Sequence, residues 1–285
     1  MDQQSPGNLL IIWDYDGSTG NLNASYPYKF DERKLYREIE NVDKILRLGK
    51  QHGIKMTFAC VGFGAEPGVY PYHIQDQIKK IHKLGHEIAS HSWRHEWFPY
   101  LEKKQIELSL ARSKSALETC IHAPNSVSGF ILPFSRPMSW YGRGAFSLGD
   151  RVFGPWYPGS SLGSILKFVN QAGYRWMRIS YRPIWQRFIQ TKDKPNLNRI
   201  WEHHRNVICV RNHVFGFDKV ARTLLTQLSQ DGGCLVVSAH PAALSFGRKE
   251  SLVNFERFIE MAAQYQNKDL ISSSTVIDHI SQLKQ

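Results

Sequence analysis

His91 and His95 stand four residues apart in His91-Ser92-Trp93-Arg94-His95, directly after the run His86-Glu87-Ile88-Ala89-Ser90. That spacing puts two imidazoles on one side of a helical turn or a tight loop. From there both can aim a ring nitrogen at one cation about 2.0–2.1 Å away. Two His ligands do not complete a site, so a third must come from elsewhere. The best candidate lies in Trp13-Asp14-Tyr15-Asp16-Gly17, just after the apolar run Leu9-Leu10-Ile11-Ile12. Asp14 and Asp16 are two residues apart, so on an extended strand end both carboxylates point the same way. Like charges held together repel unless a cation or a proton intervenes. That suits a division of labour in which one is a ligand and the other a base. The same residues also fit a plain turn before Gly17 with two solvated carboxylates. A His pair is weak evidence alone: His82 and His86 form another, and Gly85 between them reads as a helix stop that sends those rings apart.

The elements that must carry these groups alternate. Leu9 to Trp13 reads as a buried strand. Asp31 caps a helix that runs to about Gln51 with Leu35, Ile39, Val42, Ile45 and Leu46 in helical spacing, and Gly53 ends it. Strands follow at Lys55–Val61, His86–Ser90, Ser128–Leu132, Tyr174–Ile179, Val207–Val210, Gly233–Ser238 and Leu270–Ser273. Helices are expected from Ile74 to Leu84, Glu102 to Cys120, Ser161 to Ala172, after Asp218, from Leu252 and at the C-terminal end. This alternation predicts one α/β domain over 1–285 built on a parallel sheet, with loop insertions at about 133–159 and 181–199. In such a fold the active groups gather at the C-terminal ends of the strands. Asp14 and Asp16 end the first strand, His91 and His95 follow the third, and His240 follows Leu235-Val236-Val237-Ser238-Ala239. All five fall at one end of the sheet, which is the company the His pair needs.

Composition narrows the class. With 42% apolar and 21% charged residues in 285, the chain is an ordinary globule. The polar start Met1 to Gly7 lacks the basic-then-apolar order of a signal peptide, and Leu9–Trp13 is too short to span a bilayer. A cytoplasmic protein is the expectation. Cys60, Cys120, Cys209 and Cys234 are scattered, without a Cys-x-x-Cys pair, and read as reduced thiols. The net charge of +11 points to an anionic partner: a nucleotide- or lipid-linked molecule, an acidic saccharide or a membrane surface. Nucleic acid is not expected, because the basic residues are dispersed and no recognition motif accompanies them. The oligomeric state is not legible.

Taken together, these residues resemble the polysaccharide deacetylases of the NodB-homology family. Members carry an Asp-rich first motif, a His-Ser/Thr-x-x-His second motif and a late Leu-x-x-His motif on a distorted (β/α)7-8 barrel. The counterparts here are Asp14-Tyr15-Asp16-Gly17, His91-Ser92-Trp93-Arg94-His95 and Val237-Ser238-Ala239-His240-Pro241. The resemblance implies Asp16, His91 and His95 as ligands of a divalent metal, usually Zn2+, with Asp14 as general base and His240 as general acid. It also implies substrate contacts at Tyr15, whose backbone N–H would hold an oxyanion, and at Pro133, Arg136 and Trp176. The activity implied is removal of an N-acetyl or other N-acyl group from an amino sugar. The chain departs from the pattern in three places, the first being its Asp-x-Asp, as in one subgroup, where many members have adjacent Asp residues. Ile131 stands where the family's third-motif Arg would fall, with Arg136-Pro137 a possible substitute, and Tyr174-Arg175-Trp176-Met177-Arg178 has the fourth motif's Trp without its Asp. Loop aromatics Trp97, Trp140, Tyr141, Trp156, Tyr157 and Trp185 suit stacking on sugars.

Two rivals fit parts of the chain. Ile11-Ile12-Trp13-Asp14-Tyr15-Asp16-Gly17-Ser18-Thr19 resembles the first motif of haloacid-dehalogenase-type phosphatases, in which Asp14 would be a nucleophile working with magnesium. That class needs a late acidic pair, and the chain has no Asp-Asp. The missing Arg and Asp motivate the other rival, a non-catalytic saccharide-binding protein on the same fold.

Overall fold

The computed structural model describes residues 6–23, 31–98, 101–135, 162–179, 197, 201–204 and 206–283. The organising strand is β1 (Gly7–Tyr15), in which all nine residues are buried. A strand covered on both faces has no polar side, so its sequence reads as a continuous apolar run. Beside it lie β2 (Thr57–Cys60) and β9 (Cys234–Ala239), both parallel. The sheet continues through β3 (Glu87–Ser90), β4 (Gly129–Ile131), β5 (Trp176–Ile179), β7 (Val207–Arg211) and β6 (Trp201–His204). At its other edge is β8 (Val214–Phe215), and β10 (Ile271–Ser273) pairs with the start of β1. The order is β6-β7-β5-β4-β3-β2-β1-β9-β8. Every pairing is parallel except the β6–β7 hairpin. This is a curled, open form of the expected (β/α)7-8 barrel.

Two-residue alternation divides each strand between two cores. Leu9, Ile11, Trp13 and Tyr15 of β1, Phe58 and Cys60 of β2, Ile88 of β3 and Phe130 of β4 face the helices. Those helices are α2 (Glu32–His52), α3 (Gln75–Lys83), α4 (Lys103–Ile121), α5 (Leu162–Gln171), α6 (Lys219–Asp231) and α7 (Leu252–Gln266). Trp13 centres this outer core, its ring edge-on to Phe255 of α7 at 5.0 Å and 5.4 Å from Phe217. The other phase fills the inside of the curl: Leu10, Ile12, Ala59, Ala89, Ile131, Trp176, Ile208, Val210 and Val236. Val276 and Ile280 of the last helix, α8 (Val276–Gln282), close that interior from below.

The helix signals act as expected. The Asp31 side chain accepts from Arg33 N–H, Gly53 ends α2 at φ +65°, and Asp218 caps α6. Three elements escaped the sequence reading. The β6 segment Trp-Glu-His-His has no apolar alternation, and β8 is two residues long. The seven-residue α1 (Gly17–Asn23) contains two glycines and is held by tertiary bonds, not by propensity. The expected insertion segments fall mostly outside the described residues. All four cysteines are buried and unpaired with one another, as expected of reduced thiols. Among the described residues no helix is long and apolar enough to cross a membrane.

Candidate metal centre

Strand phase builds this site. In β1 the interior residues Leu10 and Ile12 are followed in phase by Asp14 and Asp16. In β3, Glu87 and Ala89 lead to His91; in β5, Trp176 leads to Arg178; in β9, Val236 and Ser238 lead to His240. Each strand thus ends its apolar interior face on a polar group at the same end of the curl.

The histidines sit on a tight loop, not a helical turn. His91 N–H donates to Cys60 O at 2.9 Å, while Ser92 and His95 adopt φ of +64° and +58°. Gly62 and Phe63 N–H donate to the Ser92 and Trp93 carbonyls at 2.9 and 2.7 Å, and Asn23 Nδ2 donates to Arg94 O at 2.7 Å. So pinned, the two rings converge with centroids 4.9 Å apart. Asp16 Oδ1 lies 3.4 Å from His91 Nε2 and 3.5 Å from His95 Nε2. Four-coordinate zinc bonds of about 2.05 Å imply ligand–ligand edges of about 3.35 Å, so these spacings suit a cation. The Asp16 Oδ1 atom is buried without a hydrogen-bond partner, and a cation would satisfy it. His91 Nδ1 lies 2.8 Å from Ile131 O, which fixes the tautomer that leaves Nε2 for a metal. Burial pushes the Asp16 carboxyl up, but His95 and His91 outweigh it and hold the group well below the usual carboxylate range.

Asp14 has a different partner. Arg178 Nη1 and Nη2 donate to its Oδ1 and Oδ2, each at 2.6 Å, and neither side chain is more than 4% exposed. Nη1 also donates to Ser238 Oγ at 2.9 Å, which donates in turn to Asn212 Oδ1 at 2.8 Å. Burial raises the Asp14 carboxyl; Arg178, His91 and His240 together bring it below its ordinary value. His240 Nε2 is 3.7 Å from Asp14 Oδ2, and its Nδ1 is 3.0 Å from Glu250 Oε2, which also accepts the His240 backbone N–H at 2.6 Å. Burial alone would lower the imidazole; the Glu250 hydrogen bond with the Asp14 and Asp16 charges pushes it up to about 10.

Arg178 and Glu250, the charged partners of Asp14 and His240, went unrecognised in the sequence. Ile131, at the position of the expected Arg, is the register partner of Arg178 across β4 and β5. The guanidinium therefore comes from the next strand at the same height. Its signal was a cation in an apolar strand, two residues beyond an interior Trp. Glu250 had no signal beyond being an acid shortly after His240.

One expected substrate contact is corrected. Trp176 is fully buried one layer below the site, its Nε1 donating to Glu87 Oε1 at 2.9 Å. The Tyr15 side chain is out of phase with Asp14 and Asp16, packs in the outer core and is 1% exposed, so the contact expected of this residue rests on its backbone N–H alone. Pro133 is buried at the end of β4 in a short turn with Phe134 at φ +61°, whose ring lies 4.6 Å from that of His95. Arg136 lies outside the described residues, as do Trp140, Tyr141, Trp156, Tyr157 and Trp185.

Behind Asp16, α1 is pressed against its side chain. Gly20 N–H donates to Asp16 O at 3.1 Å, and a Cβ on Gly20 would lie 2.4 Å from Asp16 Cβ. Asn21 Nδ2 donates to Gly17 O at 2.7 Å and to Glu38 Oε2 at 2.9 Å.

Residues 29–140 match the family model for polysaccharide deacetylase. No curated protein matches the sequence significantly. Among solved structures, Puue allantoinase superposes with a TM-score of 0.62 at 14% identity, over 98% of this chain and 90% of that one. A family 4 carbohydrate esterase from Streptomyces lividans, solved with acetate, gives 0.50 at 14% identity over 95% and 93%. A family 4 carbohydrate esterase pseudoenzyme from Bacillus anthracis gives 0.50 at 12% identity over 97% and 70%. At these identities the likeness is one of fold. The chain thus carries a segment, residues 29–140, similar to polysaccharide deacetylases, on a fold it shares with these structures.

Proposed function

We propose that this protein is a metal-dependent N-deacetylase acting on an N-acylated amino sugar, with Asp16, His91 and His95 as ligands of a divalent cation, Zn2+ first among them. The observation that carries the reading is the convergence of those three ligand atoms, all within 4.8 Å of one another, beside Asp14 and His240. When bound, such a cation supplies a Lewis acid that polarises a carbonyl and acidifies water.

The remaining chemistry belongs to side chains. Arg178 keeps Asp14 ionised, so its carboxylate is ready to accept a proton from an attacking water. Glu250 keeps His240 protonated, so Nε2 can deliver a proton to the departing amine nitrogen. The two groups face the same space with affinities for protons driven apart, as an acid and base pair requires. Both Asp14 oxygens accept from Arg178, which argues against the phosphatase alternative with Asp14 as nucleophile. A substrate carrying phosphate, such as a nucleotide- or lipid-linked sugar in the cytoplasm or at a membrane surface, accords with the net charge of +11.

The test is acetate release from a panel of free, nucleotide-linked and lipid-linked N-acetyl sugars. His91→Ala is expected to lose metal and turnover together, and Asp14→Asn to keep the metal and lose turnover. Turnover by a verified metal-free His91→Ala protein would overturn the reading. Saccharide binding without acetate release by the metal-loaded wild type would favour the non-catalytic alternative.

A further inference from the structure

Trp93, between the two histidines, carries two guanidinium groups on its indole. Arg94 Cζ lies 3.7 Å from the ring centroid and Arg112 Cζ 3.6 Å. Only one of them is neutralised. Arg112 donates through Nε and Nη2 to Glu66 at 2.7 and 3.2 Å, and Trp93 Nε1 donates to the same carboxylate at 3.0 Å. Arg94 is exposed and forms no ion pair among the described residues. The acid nearest to it in sequence, Glu96, is turned to the Arg94 backbone N–H at 2.9 Å and to Ser109 Oγ at 3.0 Å. Arg94 is nevertheless held in place. Its guanidinium also lies 5.7 Å from the Phe63 ring centroid, and its carbonyl accepts from Asn23 Nδ2 at 2.7 Å. Asn23 reaches the His95 carbonyl as well, at 3.4 Å, and ends α1, which begins directly after Asp16. Arg94 therefore stands where α1 meets the histidine loop, at the edge of the proposed cation site.

We propose that Arg94 binds an anionic group, a phosphate or a carboxylate, that the substrate carries beside its N-acyl sugar. The inference rests on the substrate seating at Asp16, His91 and His95. A planar fork of N–H donors matches the oxygens of either anion. An exposed arginine gains little from an ion pair when its long side chain must first be ordered. Stacking on Trp93 orders it in advance, so less is lost when the anion arrives. Two guanidiniums on one indole repel each other; Glu66 answers Arg112 and leaves Arg94 to a ligand. The net charge of +11 draws such a ligand to the surface.

The test uses the full chain stripped with chelator, so that binding is read without turnover. Calorimetry compares three probes: N-acetylglucosamine, N-acetylglucosamine 1-phosphate, and a disaccharide of N-acetylglucosamine and glucuronate. The wild type is expected to bind one anionic probe roughly tenfold tighter than the neutral sugar, and which one identifies the anion as phosphate or carboxylate. Arg94→Met keeps an apolar stem on Trp93 and removes the charge. It is expected to lose that roughly tenfold preference, keep the affinity for the neutral sugar and melt near the wild-type temperature. With Zn2+ loaded, its KM for the preferred probe should rise by more than kcat falls. Wild-type affinity for the anionic probes no greater than for the neutral one overturns the inference. So does a preference that survives in Arg94→Met, or an equal loss for all three probes, which is what a merely structural arginine would give. Acetate release from none of the probes by the metal-loaded wild type overturns the deacetylase reading instead, since the anion contact is measured without metal.

Discussion

Arg178→Met deletes the guanidinium fork and keeps a flexible apolar stem in a fully buried position. It leaves Asp14, 4% exposed, with both oxygens deprived of donors that stood 2.6 Å away. Removing one partner of a buried pair costs about 3–5 kcal/mol, because the other charge is left uncompensated. For a chain of this size that is a fall in Tm on the order of 10 °C. The deficit must also depend on pH. In the wild type Asp14 is held below its unfolded pKa, so its contribution is present above about pH 4 and is lost as pH falls through the lower folded value. In the variant, burial acts without Arg178 and the folded pKa rises above the unfolded one. Asp14 then costs stability as pH climbs from about 4 towards the raised value. The gap between the two proteins is therefore small near pH 4 and widest at neutral pH. Urea unfolding of both metal-free proteins at several pH values between 4 and 8 measures this gap. Asp14→Asn combined with Arg178→Met should recover much of the loss. A deficit under about 1 kcal/mol at pH 8, or one equal at pH 4 and 8, would refute the assignment of Arg178 as the counter-charge of Asp14.

Three other outcomes follow from the same geometry. Gly20→Ala places a Cβ 2.4 Å from Asp16 Cβ, so α1 must move and Zn2+ affinity should fall by roughly tenfold or more; an unchanged calorimetric Kd would count against the close packing. Glu250→Gln keeps an acceptor for His240 but removes the charge that helps push its imidazole up to about 10, so the alkaline limb of the rate profile should move to lower pH, and a profile that stays in place rejects Glu250 as the cause. His86 is buried, accepts the Met56 N–H on Nδ1 at 3.1 Å, and is lowered by burial and then by Lys55 to about 4. Its folded pKa lies below the unfolded value, so it contributes stability above about pH 6.5 that is lost on acidification towards pH 4, roughly 3 kcal/mol in full; unfolding at pH 7 and 4 should show a flatter response in His86→Ala, and an equal response would remove His86 as its source.

The residues proposed as ligands were legible because their geometry is local. Asp16 follows a run that can only be a buried strand, and His91 and His95 are fixed by four residues of loop, so a short pattern carries most of the information. The supporting charges were illegible for the opposite reason. Asp14 and Arg178 are 164 residues apart, and only the curl of the sheet brings β5 opposite β1. A pattern search looks for the cation at the end of β4, where Ile131 stands; physics requires only a guanidinium at that height on the interior face. Ile131 and Arg178 are register neighbours of the same phase, so a cation on either strand enters the curl at the same level. The same phase argument shows why Trp176 was misread and why the Tyr15 side chain cannot reach the site. Trp176 is one interior layer too deep, two residues before Arg178, and Tyr15 lies between Asp14 and Asp16 and therefore faces the helices. Strand phase and layer height are thus the properties a supporting residue must preserve, while the strand that supplies it can change. An arginine in a strand buried on both faces needs an acid within reach of its fork, and among the interior positions at that level Asp14 is the acid that answers it.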